Sequence, residues 1–242
     1  NCDASATFEI TQPQELFVNH TQGTVLCEGG TTFIELTVTG GTQPYTYTWE
    51  RFNTATSTWE TLPTTTRRLN NITAGTYRYT VTELNNCTSN SDEIVIADGV
   101  PVQLTYVAND ITCFGGSARV TLTATSGTST NFTYFVNGNQ IFGNQFQAIA
   151  GTYTAYAIDN VKGCISDEIT ITVNQPSNPV QISHYSFQDL SCFEAGDGII
   201  SLALTGGTAP YTITFQGNSY SANDGEIIVF DNLSANINYT FT

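Results

Sequence analysis

The chain has 242 residues, 11% of them charged, with no methionine and a formal charge of −15 from Lys+Arg 6 against Asp+Glu 21. That charge repels phosphate backbones and anionic lipid, which excludes nucleic acid as a partner, and no run approaches the ~18 apolar residues that would insert in a membrane. Abundant threonine, asparagine, tyrosine and phenylalanine suit half-buried strands rather than helices, so an all-β fold is expected.

In chain order, residues 1–13 read as the last strand of a preceding repeat: Asn1-Cys2-Asp3, then Thr7-Phe8-Glu9-Ile10-Thr11-Gln12-Pro13. The same turn, cysteine and strand recur at Asn86-Cys87 with Glu93-Ile94-Val95-Ile96, and at Gly163-Cys164 with Ile169-Thr170-Ile171-Thr172-Val173. The amino terminus lacks a charged n-region and an apolar h-region, so any export signal or anchor is expected outside this window. Prolines 13, 101, 176 and 179 mark the junctions, and self-similarity at roughly 80 residues divides the chain into repeats over 14–100, 101–178 and 179–242. The third lacks its final hairpin. Short proline linkers favour a stiff, end-to-end array.

Within each repeat the alternation has period two, as a strand with one buried face requires. Ile34, Leu36 and Val38 in the first repeat correspond to Val120, Leu122 and Ala124, then to Ile200, Leu202 and Leu204. A glycine turn follows, and a second alternating strand: Gly40-Gly41-Thr42-Gln43-Pro44-Tyr45-Thr46-Tyr47-Thr48-Trp49 returns as Gly206-Gly207-Thr208-Ala209-Pro210-Tyr211-Thr212-Ile213-Thr214-Phe215. A degraded copy runs from Ser126 to Val136. Ala74-Gly75-Thr76-Tyr77 and Ala150-Gly151-Thr152-Tyr153 then open a strand where a tyrosine-corner hydroxyl would bond back to the backbone. Seven short strands per repeat predict tandem immunoglobulin-like β-sandwich domains. The first repeat adds a hairpin over Glu50–Trp59.

Taken together, Cys113-Phe114-Gly115-Gly116, Gly40 to Tyr47, Gly206 to Tyr211, Ala74 to Tyr77, Ala150 to Tyr153, Gly163-Cys164 and Gln175-Pro176 closely resemble the SprB-type repeat. Cys27-Glu28-Gly29-Gly30 and the stretch from Cys192 to Gly198 vary the first signature, and the second repeat has lost its Pro-Tyr. The resemblance implies a segment of a giant cell-surface adhesin of gliding bacteria, exported by type IX secretion and carried along the cell surface. On this reading the partners are an extracellular surface or polysaccharide and the neighbouring repeats of the same chain.

Six cysteines at repeated positions in an exported protein point to disulfides. In an immunoglobulin-like topology Cys27 precedes the second strand at one end of the sandwich, and Cys87 follows the sixth at the other. A ten-residue strand is roughly 34 Å long, whereas bonded cysteines need Cα atoms within about 7 Å. Stacked repeats would instead bring Cys27 near Cys164, and that staple is preferred by a narrow margin. The conventional pairs Cys27 with Cys87 and Cys113 with Cys164 stay open. Under the staple Cys2 and Cys87 would bond cysteines before residue 1, and Cys113 one beyond residue 242; Cys192, like Cys2, has its partner outside the chain.

No catalytic constellation is found, and neither a metal nor a cofactor is expected. His20 and His184 are the only histidines, too few for a triad or a zinc site. Asp92, Glu93, Asp167 and Glu168 recur beside the last strand, but calcium needs several oxygens converging on one point. Lys162 is the single lysine, which argues against Lys–Asn isopeptide cross-links. Six Asn-x-Ser/Thr sequons begin at Asn19, Asn71, Asn86, Asn131, Asn232 and Asn238. Trp59 with Phe52 is the best candidate patch for stacking on sugar rings. The alternative function is therefore a carbohydrate-binding accessory array of a secreted enzyme.

Overall fold

The computed structural model describes residues 3–242; Asn1 and Cys2, and with them the pairing expected for Cys2, lie outside the described residues. Every regular element among these residues is a strand, as the alternations predict. The first repeat contains β1 (Phe17–Gln22), β2 (Thr32–Thr39), β3 (Thr46–Asn53), β4 (Thr58–Thr61), β5 (Arg68–Ile72), β6 (Gly75–Thr82), β7 (Thr88–Asn90) and β8 (Ile94–Ile96). The second contains β9 (Gln103–Ala108), β10 (Ala118–Thr125), β11 (Phe132–Val136), β12 (Asn139–Ile141), β13 (Gln145–Ala148), β14 (Gly151–Asp159) and β15 (Ile169–Val173). The third contains β16 (Gln181–Gln188), β17 (Gly198–Thr205), β18 (Tyr211–Phe215), β19 (Asn218–Ala222) and β20 (Ile228–Leu233).

Each repeat is an immunoglobulin-like sandwich built from two sheets. In the first, the sheet β1-β2-β5 accompanies the sheet β4-β3-β6, whose free edge carries β7 and β8. The last strand is split in two at Ser91, which accepts the Tyr79 N–H on Oγ and donates its own N–H to the Tyr79 carbonyl. The second repeat has sheets β13-β10-β9 and β12-β11-β14-β15, and the third has β16-β17-β20 and β18-β19. The extra hairpin of the first repeat pairs Phe52 with Trp59 and Asn53 with Thr58.

By contacts the described chain forms two compact units. Unit 1 holds the residues up to Val102 with two loops of the second repeat, Ser126–Asn131 and Asp159–Ile165; unit 2 holds Gln103–Thr125, Phe132–Ile158 and Ser166–Thr242. Ile34, Leu36, Trp49 and Val81 are fully buried in the core of unit 1, where the Trp49 ring meets Tyr79 edge to face at 5.7 Å. The Trp49 indole N–H donates to the Thr66 carbonyl at 2.9 Å, which satisfies the polar end of a buried aromatic. In unit 2, Val120, Leu122, Ala155, Ala157 and Ile171 close the second repeat, and Leu202, Tyr211, Ile213, Phe215 and Phe230 the third. Burial of these alternate positions supplies the main driving force for each sandwich.

Candidate functional site

The glycine turns come first because they hold the strand entries. Gly40 and Gly206 have φ of 69° and 81°, and a β-carbon at either would overlap the carbonyl oxygen of Glu15 or Pro179. Only glycine meets both demands. The neighbouring Gly41 and Gly207 each donate N–H, at 2.8 Å, to Gln14 and Asn178. Tyr45 and Tyr211 then donate their hydroxyls to the Gly40 and Gly206 carbonyls, each at 2.6 Å. The Gly-Gly-Thr-x-Pro-Tyr motif is thus a clamp that ties a turn to the start of its repeat.

The second construction is the cysteine junction of unit 1. Cys27 and Cys164 are joined by a disulfide with a Cα–Cα distance of 5.4 Å across a sequence separation of 137. Cysteines of two successive repeats are therefore bonded inside one compact unit, since the loop Asp159–Ile165 clusters with the first repeat. Among the described residues Cys87, Cys113 and Cys192 are free and exposed. The pairs Cys27 with Cys87 and Cys113 with Cys164 are not formed. Cys87 lies beyond Thr82, at the far end of β6, whereas Cys27 packs on Gly99, just past the strand that pairs with Gly75 at the near end. Eight residues of strand, roughly 26 Å, separate the two ends.

Local backbone chemistry prepares the Cys27 loop. Gly30 donates its N–H to the Cys27 carbonyl at 2.9 Å, and Asp98 Oδ1 accepts the N–H groups of both Gly29 and Gly99. The same turn is built again at Cys113, where Gly116 donates to the Cys113 carbonyl and Gly115 donates to Gln175 Oε1 at 2.9 Å. Around Cys164 the partner is Asp159, a residue not singled out from sequence. Its Oδ1 accepts Ser129 Oγ–H at 2.8 Å and the N–H groups of Val161 and Lys162, while its N–H donates to the Cys164 carbonyl. Lys162 Nζ reaches Ser126, and the Ser126 hydroxyl bonds to the Val100 carbonyl.

Asp159 is fully buried and its Oδ2 has no hydrogen-bond partner among the described residues. Burial pushes its carboxyl up, but the hydrogen bonds from Ser129, Val161 and Lys162 outweigh that and hold it below the ordinary aspartate value. Glu83 is its counterpart in the first repeat: it accepts the Thr42 N–H on Oε2 and donates its own N–H to the Cys87 carbonyl. The Thr42 bond holds the Glu83 carboxyl low against the opposing effect of burial, and Glu83 in turn raises the Cys87 thiol. An acid four or five residues before the second cysteine of the first and second repeats was the available sequence signal.

The remaining sequence candidates are scattered. Trp59 packs edge to face on Phe52 at 5.3 Å, and the Arg78 guanidinium covers its ring at 4.2 Å while bonding Glu50 at 2.6 Å. His20 meets the Tyr79 ring edge to face at 6.3 Å. Among the described residues no three His, Cys, Asp or Glu side chains, the recurring acids included, are grouped to hold a metal. Asn71, Asn86 and Asn232 have φ of 55°, 66° and 57°, so three of the sequon asparagines serve left-handed turns. Tyr77 and Tyr153 donate to the carbonyls four residues back, at 2.9 and 3.0 Å, as tyrosine corners do.

Comparison with known proteins places these features. The SprB repeat family matches residues 25–54 and 185–219, two stretches that contain the two intact Gly-Gly-Thr-x-Pro-Tyr clamps; the degraded copy lies between them. No curated protein matches the chain. Among solved structures, the three N-terminal domains of the highly immunogenic outer capsid protein of bacteriophage RB49 align with a TM-score of 0.51 at 11% identity, over 93% of this chain and 89% of that one. A segment of three titin immunoglobulin domains aligns at 14% identity over 93% and 90%, with a TM-score of 0.32. The phage likeness is one of fold.

Proposed function

We propose that this chain is a load-carrying segment of a secreted bacterial cell-surface adhesin filament that serves attachment and gliding. The observation that carries the reading is the Cys27–Cys164 bond between successive repeats of a chain with two SprB repeat matches. A cross-link between neighbouring repeats resists bending and extension at the linker, which a bridge inside one sandwich does not do. It is the kind of bond that persists outside the cytoplasm. The chain works mechanically in this reading, with no catalytic role. The acidic surface limits self-association, and the substratum or its polysaccharide is the partner.

The carbohydrate-module reading rests on Trp59 and Phe52, and the Arg78 guanidinium over the Trp59 face argues against it. The test is antibody raised against residues 14–178 and coupled to beads on living cells of the source bacterium. Beads held at the surface and carried along it support the filament reading. Absence of surface labelling, or glycan binding that Trp59→Ala abolishes, overturns it.

A further inference from the structure

The disulfide gives the chain a second covalent path between residues far apart in sequence. Cys27 and Cys164 are 137 residues apart along the backbone and 5.4 Å apart across the bridge, Cα to Cα. Of two parallel connections under tension, the shorter bears the pull and the longer stays unloaded. Residues 28–163 are the longer one. Fully extended, at about 3.3–3.6 Å per residue, they would reach about 450–490 Å.

Most of the buried core of the first two repeats lies in that unloaded length. It holds β2 to β8 of the first repeat, with Ile34, Leu36, Trp49, Tyr77 and Val81, and β9 to β14 of the second, with Val120, Leu122, Ala155 and Ala157. Of the strands of these repeats, β1 and β15 alone stand on the short path. Neither can run out far, because β1 ends at Gln22, five residues before Cys27, and β15 begins at Ile169, five residues after Cys164. Stripping β1 from β2, or β15 from β14, lengthens the chain only by the slack of its own short segment. The ends of the bridge are tied to the unloaded side: the Cys27 carbonyl accepts the Gly30 N–H, and the Cys164 carbonyl the Asp159 N–H.

We propose that the Cys27–Cys164 bond is a mechanical bypass, which carries tension from residue 27 directly to residue 164 and shelters β2 to β14 from it. While the bond stands, the sheltered strands can lose their pairing and regain it without lengthening the chain, so the first two repeats form a nearly inextensible link. Opening the bond releases the stored length. A dithiol does this by exchange: it gives two electrons and two protons, leaves thiols at Cys27 and Cys164, and closes to its own disulfide. The bypass follows from covalent connectivity and is independent of adhesion or gliding; only its use in a filament rests on the proposed function.

Single-molecule force spectroscopy on the full chain, held by peptide tags ligated to its two ends so that no cysteine serves for attachment, reads the stored length directly. The oxidised chain is expected to reach about 350–380 Å at full stretch, and the chain in dithiothreitol about 800–870 Å. Cys27→Ser with Cys164→Ser should match the reduced chain without any reductant. Leu122→Ala, in the sheltered core, should lower the unfolding force of the reduced chain and leave the stretched length of the oxidised chain unchanged. An oxidised chain that stretches as far as the double variant overturns the inference. So does a stored length of about 200–215 Å, which a bond from Cys27 to Cys87 would give.

Discussion

Gly99 lies backbone to backbone against Cys27, so that a β-carbon built on Gly99 would fall inside the Cys27 main chain. The close approach belongs to the linker, and it sets where the Cys27 sulfur sits. Gly99→Ala is expected to cost about 1–3 kcal/mol, as other overpacked sites do. It should also slow formation of the Cys27–Cys164 bond, measured by non-reducing mass spectrometry during refolding. Gly29→Ala, at φ 67° with open space around it, should cost about 1 kcal/mol from the left-handed backbone alone and leave the oxidation rate unchanged.

Loss of the disulfide itself should be visible in stability. Cys27→Ser with Cys164→Ser is expected to destabilise unit 1 by about 2–4 kcal/mol. Thermal melts with and without reductant should differ for the parent chain and coincide for the variant. Non-reducing peptide maps of the parent should show the Cys27 peptide linked to the Cys164 peptide; a link to the Cys87 peptide would contradict the structure.

Asp159 at the Cys27–Cys164 junction and Glu83 at the opposite end of the first repeat predict two acid-sensitive turns. Each carboxyl titrates lower in the folded chain than in the unfolded one. Their ionised forms thus contribute stability that is complete above the unfolded values, roughly 4. It is lost as pH falls through the depressed folded values. Asp159→Asn and Glu83→Gln should lower stability at neutral pH and flatten this dependence, measured as denaturation midpoints between about pH 2 and 7. An Asp159→Asn variant that keeps the full acid slope would show that other carboxylates set it.

The tyrosine corners separate by burial. Tyr77 is almost fully buried and its hydroxyl bond is partly shielded, whereas the Tyr153 bond is exposed. Tyr77→Phe should cost about 1–1.5 kcal/mol, and Tyr153→Phe less than half of that. Urea denaturation of the two variants measures the difference.

Much of the fold is written in local pattern. Leu36, Trp49, Leu122 and Ile213 are buried where a period-two reading puts them, and Gly40 and Tyr77 sit in the turns that their chemistry demands. These follow from backbone sterics and alternation, which act over a few residues, so the sequence by itself determines them. The Cys27–Cys164 pairing, which the sequence preferred only narrowly over Cys27 with Cys87, was settled by tertiary structure, and the anchoring of Cys164 by Asp159 and the capping of Trp59 by Arg78 were decided by it alone. Each depends on which loop meets which across dozens of residues. Such a meeting is settled by the packing of whole sandwiches and leaves only a faint mark, such as an acid shortly before a cysteine, in the residues on either side.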